Sequence, residues 1–488
     1  MDNLVNRPHS IGLPSPLTAV VKEMPADLET PVSAYLKLAG HGARFLLESV
    51  EQGENLGRYS FIGLDHLEWF EIGERGLRIV DARGRSITVP TPADPLQPVR
   101  DAMLRYSVQP HPSVPHLLGG AVGYIGYDYV RYLERLPGGG EDPLGLPLAQ
   151  FYLVNTLLVF DHLKRKIVAV SLAGPNAQSP EAAQARVNEV LQILRTSALD
   201  PAVVGARAST HAEFRSNFTR EAFCDAVRCA HEHIRAGDIF QVVLSQRLTG
   251  PLTVPPFQIY RALRMLNPSP YMFYLSFGDL QLIGSSPEAL VKLEGSHATS
   301  RPIAGTRPRG RSDEEDRHLE AELLADEKER AEHVMLVDLA RNDLGRVCAY
   351  GSVQVPRLFQ IERYSHVMHI VSEVAGELAK GQDPFSLLRA TFPAGTVTGA
   401  PKVRAMEIIH QLEPERRGPY AGAVGYFGLG GDLDLCITIR TIVAHDARLH
   451  LQAGAGIVAD SVPDREYDET LHKLEALRRA VAMAEEGF

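Results

Sequence analysis

Apolar positions along this chain come in short blocks broken by turn residues, with a few longer helical stripes. Strand-like patterning appears between residues 35 and 61, in RFLLESV and GRYSFIG. Residues 151–172 read as two strands, FYLVNTLLVF and KIVAVSL, around a turn at Asp161 and His162. Residues 180–198 predict an amphipathic helix with Ala183, Val187, Val190, Leu191 and Leu194 on one side. Another helix is predicted over 463–484, where Pro463 suits the first helical position and Asp464 the positive end of the helix dipole. Its apolar stripe is Leu474, Leu477, Val481 and Ala484. PGGGEDPLGLP, at 137–147, is a Pro/Gly-rich loop. One internal echo stands out: GGAVGYIGYD at 119–128 resembles AGAVGYFGLG at 421–430. Glycines in such strands permit close backbone approach or a bulge. Nothing repeats at a fixed period, which excludes a solenoid. Strands and helices interleave without a βαβ rhythm, so the expected fold class is α+β, with large mixed or antiparallel sheets flanked by helices. The expected divisions are an N-terminal arm over 1–20, an N-terminal region over 21–205 and a second region over 215–488. Strands from the second region are candidates to complete the first sheet.

Composition narrows the class. The 488 residues are 44% apolar, ample for a sizeable core and for more than one domain. The formal charge of −10, with acids and bases interspersed, argues against binding nucleic acid or an anionic membrane. Cys224, Cys229, Cys348 and Cys436 form no CxxC pair, so neither a disulfide framework nor a structural zinc site is expected, and a reducing cytoplasm fits. MDNLVNRPHS has no basic start followed by an apolar stretch, so no signal peptide is expected. The most apolar stretch, 151–160, is interrupted by Asn155 and Thr156. It falls far short of the ~20 residues that span a bilayer.

The sharpest chemical signal is a duplicated carboxylate spacing. In DEKERAEHVMLVDLARNDLG, Glu329 and Glu332 are three apart on a predicted helix and share a face. In PDREYDETLHKLEALRRAVAMA, Glu466 and Glu469 repeat that spacing. A single pair of this kind is ordinarily a solvated face. Two such faces meeting across a cleft would hold a hard cation such as magnesium through oxygen ligands. No imidazole or thiolate cluster accompanies the acids, which disfavours zinc. QAGAGIVAD carries Gly454, Gly456 and Ala459 in a GxGxxA pattern, but DSVPDRE delays the following helix. A pyrophosphate site needs the helix directly after the glycines. The segment therefore reads as a glycine loop whose backbone N–H groups approach a small anion. The chain contains no GxxxxGK[ST], HExxH or GxSxG.

From residue 219 onward the chain resembles the chorismate-utilising enzyme family, and within it the synthase components of anthranilate synthases. The resemblance rests on an ordered series: DIFQVVLSQR, NPSPYMFYL, SSPE, RPIAGTRPRG, DEKERAEHVMLVDLARNDLGRV, ERYSHVMHIVS, TFPAGTVTGAPKVRAMEII, GPYAGAVGYFG, CITIRT, QAGAGIV and PDREYDETLHK. The first half matches more loosely, through LLES and GRYSFIG. The resemblance implies Glu332 and Glu469 as direct Mg2+ ligands, with Glu329 and Glu466 acting through water. It implies Arg440 as the partner of the enolpyruvyl carboxylate, a task for a guanidinium fork. Tyr420, Thr396, Gly454, Gly456 and Lys473 would complete the substrate contacts. Glu288 would be the general acid at the departing C4 hydroxyl, which requires a raised pKa. His369 would assist the second step, with His366 a competing candidate. Gly305 and Thr306 would line the attack pocket.

Two positions distinguish relatives within that resemblance. A lysine in the strand motif activates water in isochorismate and salicylate synthases, and this sequence has Gln241 there. Aminodeoxychorismate synthases usually read PIKGTR with a nucleophilic lysine, and this sequence has Ala304. Direct attack by ammonia is then the implied chemistry, giving anthranilate and pyruvate from chorismate. LLES and NPSPYM resemble a feedback site for L-tryptophan, with Leu47, Glu48, Ser49, Pro270, Tyr271 and Met272 as its candidates. No reactive-cysteine elbow with a distant histidine is visible, so a separate glutaminase subunit in a hetero-oligomer is the implied source of ammonia.

Overall fold

The structure is a computed structural model and describes residues 14–49, 57–114, 117–138, 140–199, 205, 207–208, 210–363 and 367–488. Among these residues the chain builds two large sheets. The first runs, strand beside strand, through Arg215–Ser216, Gln241–Pro251, Arg448–Ile457, Thr441–His445, Leu280–Ser286, Tyr271–Phe277, Phe45–Glu48, Tyr59–Gly63, Thr156–Asp161, Lys166–Ala173, Ser15–Pro25 and Tyr106–Val108. The second runs through Ile303–Pro308, Val367–Glu377, His297–Ser300, Ala289–Glu294, Leu433–Ile437, Ala423–Gly428, Gly120–Ile125, Ala149–Val154, His66–Ile72, Gly76–Asp81 and Ser86–Pro90. Pairing is antiparallel apart from Ser15–Pro25 against Tyr106–Val108. With helices on the outer faces, this is the expected α+β class.

The strands face two ways at once. Leu157 and Val159 pack inward with Val122, Tyr124 and Tyr152 of the other sheet. Their neighbours Leu158 and Phe160 pack outward against Val187, Val190 and Leu191 of the helix Pro180–Thr196. Ser179 caps that helix and Pro180 opens it, as the residue preferences at those positions favour. On the first sheet's outer face lie also the helices Pro256–Leu266 and Pro463–Glu486. Helix Glu327–Gly345 packs on the second sheet.

Several elements differ from the sequence reading. Tyr35 lies on a helix, Pro31–Leu38, capped by Thr30. FYLVNTLLVF is two strands, Ala149–Val154 and Thr156–Asp161, and they belong to different sheets. Ser15–Pro25 is a strand, so the arm expected over 1–20 enters the sheet from Ser15; residues 1–13 lie outside the described residues. Both sheets draw strands from both sides of residue 205. The two echo strands lie side by side, with Gly123 opposite Gly425. A Cβ on Gly123 would stand 1.8 Å from the Gln150 carbonyl oxygen, and one on Gly425 2.0 Å from that of Asp434. Close backbone approach explains both glycines.

Candidate active site

The chain passes from one sheet to the other at two places that matter for chemistry. After Leu280–Ser286 it crosses at Pro287 and Glu288 into Ala289–Glu294. After Leu433–Ile437 it crosses back, through Thr438, Ile439 and Arg440, into Thr441–His445. Arg440 holds a left-handed backbone, φ +50°, which a non-glycine residue adopts only under surrounding constraint. The Ser285 N–H donates to the Arg440 carbonyl at 3.1 Å, so the two crossings are joined.

At this seam a cavity of about 380 Å³ opens, in the size range of small-molecule sites. Its wall includes Glu288, Thr396, Tyr420, Arg440, Gly454, Gly456 and Lys473. Facing them are Glu332 from one glutamate helix and Glu466 and Glu469 from the other. The two ExxE helices therefore meet across one cleft.

Glu329 stands apart from the other three acids. It accepts from Arg307 Nη1 at 3.2 Å, beside Gly305, whose φ is +69°. A Cβ on Gly305 would lie 3.2 Å from Glu329 Oε2. Burial, with Glu329 nearby, pushes the Glu332 carboxyl above the usual range, while Gln241 Nε2 donates to Glu332 Oε1 at 3.1 Å and opposes the shift. Burial likewise raises Glu466, with Glu469 adding to it. Lys473 pairs with Glu469 at 2.6 Å and donates to the Gly454 carbonyl at 2.9 Å. Glu332 and Glu466, both held above the usual carboxylate range by burial and by a neighbouring acid, join Glu469 in an oxygen donor set. That set suits a hard divalent cation.

The Arg440 guanidinium donates to the carbonyl of Lys473, on the same helix as Glu466 and Glu469. Among the described residues it has no carboxylate ion-pair partner, and burial works against its charge. An anionic ligand would supply what the wall does not. Glu288 is buried, and burial pushes its carboxyl up to about 7; the neighbouring Thr396 hydroxyl opposes the rise. His369 and Thr306 sit on paired strands, with His369 Nδ1 3.0 Å from both Thr306 Oγ1 and the Gly305 carbonyl; Ile303 and Ala304 of the Thr306 strand line the cavity, while Gly305, Thr306 and His369 do not. Burial lowers the His369 pKa, and the positive charge of Arg440 lowers it further. His366 lies outside the described residues.

One local expectation is corrected. Gly454 and Gly456 lie within the strand Arg448–Ile457, paired with Ser245 and Val243, and do not form a loop. The glycines answer to side chains instead. A Cβ on Gly454 would meet Tyr420 Oη at 2.9 Å, and one on Gly456 would meet Gln241 Nε2 at 2.7 Å. Lys328 and Gln452 also line the cavity. The sequence reading passed over both. Lys328 sits one position before Glu329 inside the same motif, which was the available signal; Gln452 had none.

A family model described as chorismate binding enzyme matches residues 60–479. The chain belongs to the chorismate binding enzyme family, in its anthranilate synthase component 1 branch. It is 50% identical over 464 residues to anthranilate synthase component 1 of Thermus thermophilus, covering 95% of this chain and 97% of that protein. Its identity to the component 1 of Pseudomonas putida is 49% over 467 residues, 94% of each. Among solved structures, anthranilate synthase component I from Streptococcus pneumoniae superposes with a TM-score of 0.79 at 39% identity, covering 93% of this chain and 98% of that one. The menaquinone-specific isochorismate synthase of Escherichia coli, at 21% identity, shares the fold: TM-score 0.70, covering 97% and 96%.

In this member of the chorismate binding family, LLES and NPSPYM are brought together. The strand Phe45–Glu48 pairs with Tyr271–Phe277, Glu48 opposite Met272 and Leu47 opposite Phe273. Glu48 is buried and accepts from Arg264 at 3.0 and 3.2 Å and from the Tyr260 hydroxyl. The Ser49 hydroxyl is buried with no hydrogen-bond partner among the described residues. Pro270 is buried at the entry to this strand, and the Tyr271 hydroxyl bonds Asp434. Among the described residues, no helix is long and apolar enough to cross a membrane.

Proposed function

We propose that this chain is the synthase component of a cytoplasmic anthranilate synthase. It converts chorismate and ammonia to anthranilate, pyruvate and water, the first step committed to tryptophan. The observation that carries the reading is one cavity lined by acids from both glutamate helices, by Arg440 and by Glu288 with its pKa raised to about 7.

Glu332 and Glu469 would hold Mg2+, supported by Glu329 and Glu466; the oxygen donor set fits that ion. When bound, it neutralises the ring carboxylate of chorismate and makes it an electron sink. Arg440 grips the enolpyruvyl carboxylate. Tyr420, Gly454, Gly456 and Lys473 complete the substrate contacts. In the first step the ammonia nitrogen bonds to C2, the ring double bond shifts and the C4–O bond breaks. Protonated Glu288, with Thr396 beside it, donates to the departing hydroxyl, which leaves as water; the attacking nitrogen sheds one proton. Gly305 and Thr306 border the attack pocket, and Ala304 offers no nucleophile to compete. In the second step the C2 proton is lost, with His369 assisting, and the enolpyruvyl group departs as pyruvate. Aromatisation drives this step.

Ammonia would come from glutamine through a separate glutaminase subunit in a hetero-oligomer, for which free ammonium substitutes. L-tryptophan would bind across Leu47, Glu48, Ser49, Pro270, Tyr271 and Met272 and inhibit. The unpartnered Ser49 hydroxyl supports that placement. The test is product mass and fluorescence from purified chain, chorismate, Mg2+ and ammonium, with and without tryptophan. Anthranilate that requires Mg2+ and falls with tryptophan is expected. A non-aromatic amino product retaining the enolpyruvyl group would move the chain to another amination and sink the Ala304 argument.

A further inference from the structure

Beneath the cavity lies a buried ion pair that none of the proposed steps uses. Arg417 and Glu413 are both buried, and they meet twice: Nε to Oε2 at 2.8 Å and Nη2 to Oε1 at 2.6 Å. Arg417 also donates from Nη1 to the Val397 carbonyl at 2.7 Å and from Nη2 to the Val243 carbonyl at 2.8 Å. Its guanidinium stands 4.8 Å from the Tyr127 ring centroid and 5.6 Å from that of Tyr420. Glu413 Oε1 accepts from the Ser245 N–H at 2.8 Å and from its hydroxyl at 2.9 Å. Ser245 Oγ in turn accepts from Gln452 Nε2 at 2.9 Å.

Val243, Val397, Tyr420 and Gln452 all line the cavity, and they come from four separate stretches of chain. One buried pair thus ties four parts of the wall together. A buried ion pair is a poor stabiliser, because desolvating both charges offsets their attraction. A guanidinium fork, though, fixes several partners in one plane, which lysine does not do. We infer that Arg417 and Glu413 are positioning residues that set the chorismate-facing wall, holding Tyr420, the Thr396–Val397 turn and Gln452 in place. This rests on the function proposed above. Tyr127 extends the support into the first half of the chain: it lies under Arg417, and its N–H donates to the Gly418 carbonyl at 2.7 Å.

The test replaces the pair with apolar residues, Glu413→Leu with Arg417→Met, because a single replacement would strand a buried charge and unfold the chain. The double variant should keep its melting temperature within a few degrees. Its kcat/KM for chorismate, driven by ammonium, should fall at least thirtyfold, while the Mg2+ concentration for half-maximal rate stays within twofold. Merely structural damage would move melting and metal dependence together. Arg417→Lys should not restore the rate. A crystal structure of the double variant should show Tyr420 and Gln452 displaced. A folded double variant with wild-type kcat/KM, or with both side chains in their original places, overturns the inference. Should the double variant not fold, Ser245→Ala decides: it frees Gln452 while leaving Glu413 the Ser245 N–H and both Arg417 bonds. At least a threefold fall is expected, and an unchanged rate overturns the relay. Wild type that makes no anthranilate refutes the proposed function instead, and the side-chain positions still judge the relay.

Discussion

Glu288 is a carboxyl whose position sets its chemistry. The crossing between sheets buries it, and burial raises its pKa from 4.5 to about 7. The protonated form that the proposed acid role requires is therefore populated below about 7. At constant free ammonia, kcat/KM should fall about tenfold per unit as pH rises above that value. Glu288→Gln holds the same volume without a proton to give, and its rate should drop by roughly 10²–10⁴. The same shift has a stability consequence of defined sign. Between pH 4.5 and about 7 the folded chain keeps a proton that the unfolded chain releases, so stability declines as pH rises through that window. Glu288→Gln escapes the decline. At pH 8 it should melt above wild type, with a gain on the order of 3 kcal/mol at most. A variant both inactive and less stable would contradict the raised pKa. Of these features the sequence offered only the acid within SSPE and its family role; the burial that makes it an acid at neutral pH comes from a tertiary crossing.

Elements were legible where one face meets solvent and illegible where both faces are buried. The helix Pro180–Thr196 declared itself through its stripe, and both glutamate helices through their spacing. The run 151–160 has no polar face to mark its phase, since alternate residues of each of its two strands enter different cores. Only Asn155 records the step from one sheet to the other. Arg417 and Glu413 were invisible for a related reason: a charge buried by tertiary structure looks in sequence like any surface charge. Because the acids proposed to hold the metal come from two elements, metal should report on their docking. Mg2+ should raise the melting temperature of wild type by a few degrees, by binding only the folded state. Glu332→Gln with Glu469→Gln should lose that rise; a variant that keeps it would move the metal elsewhere. At the strand pair Phe45–Glu48 and Tyr271–Phe277, Ser49→Ala removes one hydroxyl. Half-inhibition should then need roughly tenfold more tryptophan, the worth of one good hydrogen bond, with the uninhibited rate unchanged. Unaltered inhibition would place tryptophan elsewhere.

At the scale of the whole molecule, the sequence echo proves to be architectural. In the first sheet the five strands on either side of the join between Phe45–Glu48 and Tyr271–Phe277 mirror one another in chain order, and the outermost pair, Arg215–Ser216 and Tyr106–Val108, does not. In the second sheet the join is Gly120–Ile125 against Ala423–Gly428. Each half also has a pair of crossings between the sheets joined by a hydrogen bond: Asn155 N–H donates to the Asp65 carbonyl at 3.1 Å in one, as Ser285 N–H does to the Arg440 carbonyl in the other. The halves are thus two similar units fused through the middle strands of both sheets. A division near residue 205 would then not yield independent domains. Residues 215–488 expressed alone would expose the edges of Tyr271–Phe277 and Ala423–Gly428, whose side chains are mostly buried. Unpaired apolar edges of that length favour aggregation. Arg417 would lose Tyr127 as well, so any folded remnant should carry a disordered chorismate wall. The fragment should be insoluble or molten by circular dichroism and gel filtration, and co-expression with residues 1–205 should restore a soluble, Mg2+-dependent enzyme. A fragment that folds and turns over chorismate by itself would show that the first half regulates without building the site.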